Sequence, residues 1–136
     1  MRNELLKKAV DLGQRLGRIF LTTADNNGVP HLSIATKISI NSNVELSVAG
    51  WFCPGTVANL ESNPNIGVTI WDAERDIGYQ LLGKKDALRE VAMLDGYVPE
   101  REGKLHLPQV EREVAVKVEK IFEFKQVPHN DSECKL

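Results

Sequence analysis

Apolar residues Leu5, Leu6, Ala9, Val10, Leu12 and Leu16 recur at helical spacing, with Asn3 as an N-terminal cap and Gly17 as a stop. This pattern predicts one amphipathic helix laid on another layer. From residue 18 the period changes to two. Residues 18–24 (RIFLTTA) read as a strand rich in β-branched and aromatic residues, and Asp25-Asn26-Asn27-Gly28 as a turn. The cleanest alternation follows: Leu32, Ile34, Thr36, Ile38 and Ile40 on one face, and His31, Ser33, Ala35, Lys37 and Ser39 on the other. It predicts one continuous strand with the first set inward. Val44, Leu46 and Val48 alternate with Glu45, Ser47 and Ala49 in a third strand.

Residues 50–55 (GWFCPG) break the pattern, and a short helix is expected over Thr56 to Ser62, stopped by Asn63-Pro64. Ile66, Val68 and Ile70 begin a fourth strand, Ile77, Tyr79 and Leu81 a fifth, and Val114 to Phe124 a sixth. Residues 84–112, with four Gly or Pro residues and many charges, read as mostly loop with short structure at Leu88 to Leu94. The polar segment 128–136 reads as a flexible C-terminal tail after a single domain of residues 1–127. Six strands, antiparallel turns and flanking helices imply a mainly β fold, a small barrel or strongly coiled sheet that closes to remove its edges.

Composition narrows the function classes. The net charge of −2 over 136 residues argues against a nucleic-acid footprint. No apolar run approaches the roughly 18 residues needed to span a bilayer, and the charged N-terminus does not read as a signal peptide. Cys53 and Cys134 show no pairing or zinc spacing, so the expectation is a reduced, cytoplasmic protein without membrane or nucleic-acid partners. His31, His106 and His129 show no metal-ligand spacing, and no metal site is expected.

No motif for nucleophilic, zinc or P-loop chemistry is present. The informative constellation is residues 54–60 (PGTVANL) beside the second strand. A helix start offers free N–H groups and partial positive charge to a phosphate, and Gly55 permits close approach of a ligand to backbone. The Thr56 hydroxyl would either cap the helix or bond a phosphate oxygen. Lys37 would supply a cation. Ser33, Ala35, Lys37, Ser47 and Ala49 lie on faces the core does not need.

The D-x-x-G-x-P hairpin at 25–30, the T-x-x-N-L-x-x-N-P helix at 56–64 and the spacing between them resemble the pyridoxamine 5′-phosphate oxidase-like, FMN-binding split-barrel family over residues 15–90. The resemblance implies a six-stranded antiparallel Greek-key split β-barrel acting as a homodimer, with FMN at the subunit interface. It places the cofactor against Ser33, Ile34, Ala35 and Thr36, then Ala49, Gly50 and Trp51, then Gly55, Thr56 and Asn59, with Lys37 replacing one missing cation. Trp51 and Trp71 become candidates for ring stacking or the interface. Two departures matter. The family often has Lys or Arg where this chain has Gly55, and the true oxidases carry Arg where it has Ser33. Oxidation of vitamin B6 is therefore rejected, and the expectation is an FMN-binding protein with flavin-dependent oxidoreductase chemistry. Turnover and its electron partner are left open. A flavin-free split-barrel module is the alternative, as is a haem or deazaflavin binder, haem requiring His31 or His106 as axial ligand.

Overall fold

The computed structural model describes residues 2–95 and 108–135. Helix α1 (Arg2–Leu16) starts before Asn3, so Asn3 lies inside it rather than capping it. It ends where Gly17 turns left-handed at φ 66° and donates its N–H to Gly13 O at 2.9 Å. Leu6, Ala9, Val10 and Leu12 bury the predicted apolar stripe.

Strand β1 (Ile19–Ala24) forms a hairpin with β2 (Pro30–Ala35), and β3 (Lys37–Ile40) one with β4 (Glu45–Trp51). Helix α2 (Pro54–Ser62) then crosses to β5 (Asn65–Asp72), which lies beside β1. Strands β6 (Ile77–Asp95) and β7 (Pro108–Gln126) continue the meander. The sheet order is β2-β1-β5-β6-β7-β4-β3. Its two ends, β2 and β3, join directly through Thr36, so the path closes on itself as a barrel of six runs. The return of β5 to the side of β1 is the Greek-key connection.

Inside the barrel Ile19, Leu21, Leu46, Val48, Val68, Ile70, Leu81, Val114 and Val116 are buried. Each such side chain contributes about 1.5–3 kcal/mol by leaving water. Helix α1 covers β3 and β5, with its Gln14 amide donating to Ile38 O at 3.0 Å.

Three expectations from the periodicity are corrected. The second strand is not continuous. Its chain bends at Thr36, whose N–H reaches Ala49 O at 3.3 Å and whose hydroxyl reaches Gly50 O at 3.4 Å. The bend inverts the phase: Ser33 and Ala35 face inward before it, Ile38 after it. Leu32 and Ile34 therefore point out, while Ser47, also expected outside, is buried.

Much of 84–112 is paired strand rather than loop. Its charges meet across the ladder, Arg89 with Glu113 at 3.0 Å and Arg112 with Glu90 at 3.1 Å, and bulges near Gly83, Asp86 and Val91 absorb the irregular spacing. Residues 96–107, including His106, lie outside the described residues. Finally, the expected tail adds a strand, β8 (His129–Glu133), along β7. Asp76 anchors this corner by accepting the amides of Gln126 and Val127, each at 2.8 Å. Those two bonds, foremost the Gln126 amide, hold the Asp76 carboxyl below its usual range. Among the described residues no helix is long and apolar enough to cross a membrane.

Candidate functional site

Helix α2 is pinned to the barrel along its length. The Asn59 amide donates to Thr23 Oγ1 at 3.1 Å, the Asn63 amide to Asp25 O at 3.3 Å, and Lys85 Nζ to Leu60 O at 2.7 Å, where a cation suits the helix C-terminus. These bonds set the start of α2 against β2. The helix begins at Pro54, two residues earlier than expected, so Thr56 is not its cap. The capping position falls to Cys53, which makes no side-chain cap bond, and the first turn holds no acidic residue. Val57 N–H is satisfied by Cys53 O at 3.1 Å. The N–H groups of Gly55 and Thr56 have no acceptor among the described residues, leaving two backbone donors at the positive end of the helix.

The Thr56 hydroxyl is fully buried and donates to Ser33 Oγ at 2.8 Å. Two hydroxyls carry two protons, and the bond between them uses one. Whichever way it points, one O–H of this buried pair is left without an acceptor among the described residues. The His31 ring lies against Gly55 in the first turn of α2. Its Cε1 and Nε2 both lie 3.1 Å from where a Cβ on Gly55 would sit. The close approach that Gly55 allows is thus made by the chain's own imidazole.

The structure brings Ser33, Gly55 and Thr56 together with His31, and separately joins Thr36 to Ala49 and Gly50. Gly50 has φ 75°, and any Cβ there would collide with Thr36. The remaining predicted residues divide. Ile34 faces outward, 52% exposed, whereas Ala35 is sealed inside. Asn59 is engaged by Thr23. Lys37 stands opposite Ala49, and its Nζ lies 3.6 Å from Glu111 Oε2, so a carboxylate partner already offsets its charge. Trp51 is buried in the core with its indole N–H on Val48 O at 3.0 Å, which removes its ring from any surface. Trp71 is exposed and tilts against Phe124, centroids 6.5 Å apart.

Two participants escaped the sequence reading. His31 looked like one solvated residue of a polar strand face, and only the docking of α2 places it over Gly55. Glu111 lay within the segment read as loop.

A flavin phosphate fits this corner in part. Two amides and a hydroxyl proton without acceptors among the described residues, and an imidazole, supply donors, while Ser33 and Gly55 stand where the family's cations fall and leave the floor neutral.

No family model and no curated protein matches the chain. Solved structures do. It is similar to a protein from Clostridium acetobutylicum related to general stress protein 26 of B. subtilis, of the pyridoxinephosphate oxidase family. That match has TM-score 0.65 at 13% identity and covers 100% of this chain and 97% of that one. An FMN-binding protein from Syntrophomonas wolfei gives TM-score 0.61 at 18% identity, over 90% of this chain and 88% of that one. An F420 reductase gives 0.55 at 10% identity, over 82% and 93%.

Proposed function

We propose, from a fold shared with the pyridoxamine 5′-phosphate oxidase-like split barrels, that this chain is a flavin-binding redox protein holding FMN at the corner of β2 and α2. The observation that carries the reading is the donor cluster itself. Among the described residues, two amide protons and one hydroxyl proton find no acceptor at a helix start whose Cys53 makes no side-chain cap bond and whose first turn has no carboxylate. An anionic oxygen is the acceptor such a cluster suits. A bound flavin would supply the hydride or electron chemistry. The protein's part is to grip the phosphate end through main-chain and neutral hydroxyl donors and to set access to the ring. The reading does not extend to vitamin B6 oxidation, since neither Ser33 nor Gly55 supplies the cation the oxidases carry there.

The working unit in this reading is a homodimer with the cofactor between subunits. Leu32, 58% exposed, and Ile34 stand on the outer face of β2 beside the corner, where a single chain leaves both in water. Two half-buried free thiols, Cys53 and Cys134, suit a reducing cytoplasm. The test is to titrate purified protein with FMN while following flavin fluorescence and molar mass. Micromolar binding to a species of twice the chain mass is expected; a monomer that binds no flavin refutes the proposal.

The alternative, a flavin-free or deazaflavin-binding barrel, draws on the neutral Ser33–Thr56 floor and on the fold shared with an F420 reductase. It predicts no FMN binding, or binding of a deazaflavin in preference to FMN, in the same titration.

A further inference from the structure

We propose that His31 selects a flavin ending in a phosphomonoester over the same flavin without one, a specificity role that rests on the flavin reading above. The three atoms nearest to where a Gly55 Cβ would sit all belong to the His31 ring, whose Nε2–Cε1 edge lies 3.1 Å from that point beside the first turn of α2. That turn presents the amides of Gly55 and Thr56, which have no acceptor among the described residues. Beneath it lies the second observation that calls for an acceptor. Ser33 and Thr56, at 7% and 0% exposure, share one hydrogen bond and leave one O–H without an acceptor among the described residues. A buried donor without a partner is costly in a folded chain, and a phosphate oxygen at the helix start would take it.

Every donor in this set except the imidazole is neutral backbone or hydroxyl. Lys37, on β3 opposite Ala49, has its Nζ 3.6 Å from Glu111 Oε2, which offsets its charge. His31 is therefore the side chain positioned to add a ring N–H, and charge when it carries its second proton, to the phosphate oxygens. Its charge-assisted bond is directed at the phosphate alone. Riboflavin, which has the same ring and ribityl chain but no phosphate, gains nothing from it. The preference for FMN over riboflavin thus isolates the His31 contribution from everything else that holds a flavin.

The experiment measures dissociation constants of flavin-free protein for FMN and for riboflavin, in the wild type, His31→Ala and His31→Lys. His31 is exposed on β2, so both variants are expected to fold, and circular dichroism checks this. The wild type should prefer FMN. His31→Ala should weaken FMN about tenfold, the size of one charge-assisted bond, with riboflavin unchanged within about twofold. His31→Lys, which keeps a donor and fixes the charge, should preserve or widen the preference. An FMN-to-riboflavin ratio that is the same in wild type and His31→Ala overturns the role of His31 while leaving flavin binding intact. A wild type that binds neither flavin overturns the flavin reading and this proposal with it.

Discussion

Thr56→Val tests whether the buried hydroxyl pair holds the corner together. Valine keeps the shape of threonine but removes the donor that meets Ser33 at 2.8 Å, leaving Ser33, 7% exposed, without its partner. Losing one member of a buried pair costs about 1–3 kcal/mol, because the survivor is desolvated with nothing in return. Ser33→Ala should cost a similar amount by stranding Thr56. The double variant removes both polar groups and should lose less than the sum of the singles, by about 1 kcal/mol of coupling. Urea unfolding of the four proteins, at constant slope, gives each value. Losses that simply add would refute the reasoning, since they would mean that the two hydroxyls do not depend on each other. The same four proteins report on function. If the spare hydroxyl proton serves a phosphate, the double variant should bind FMN more weakly even where its stability has recovered.

Gly50→Ala should destabilise the barrel by about 2 kcal/mol or more, measured by the same unfolding, because φ is 75° there and Thr36 occupies the space of a methyl group. Asp76→Asn should lower stability at neutral pH. A carboxyl held below its unfolded value of about 3.9 stabilises the fold above that pH and stops doing so as pH falls through its folded value. Melting curves of wild type and variant should therefore converge below about pH 4. Gly55→Lys adds a cation at the start of α2 but displaces the His31 ring, 3.1 Å from the new Cβ, so on the proposed function one phosphate partner replaces the other and FMN affinity in a fluorescence titration should stay within about threefold.

The barrel was legible because strands that bury one face alternate, and turns such as residues 25–28 announce themselves through Asp and Gly. Asp25 Oδ1 does accept the amides of Asn27 and Val29, at 2.8 and 3.0 Å. What periodicity could not carry was a change of phase. The alternation from His31 to Ile40 is unbroken in sequence, yet the bend at Thr36 turns Ser33 and Ala35 inward and leaves Leu32 and Ile34 in water. A bend held by bonds to Ala49 and Gly50 is a tertiary event, invisible to a count of twos. The β6–β7 extension was hidden for a related reason. Glu90, Arg89, Arg112 and Glu113 look like a solvated charge run until the ladder sets each opposite its counterion.

The same inversion links the fold to the chemistry. Were the run straight, Ser33 would face solvent and Ile34 the core. With the bend, Ser33 turns under α2 to meet Thr56, and the side chains it displaces, Leu32 and Ile34, form an apolar surface beside the ligand corner. One local event therefore accounts both for the neutral Ser33–Thr56 pair at the start of α2 and for the exposed Leu32 and Ile34, the two features on which the proposed flavin site and dimer rest. Straightening the run would undo both together. Thr36→Val removes the hydroxyl bond to Gly50 O but keeps the amide bond to Ala49, so the bend is loosened rather than lost and, on the proposed function, flavin affinity and dimer stability should weaken in step rather than separately.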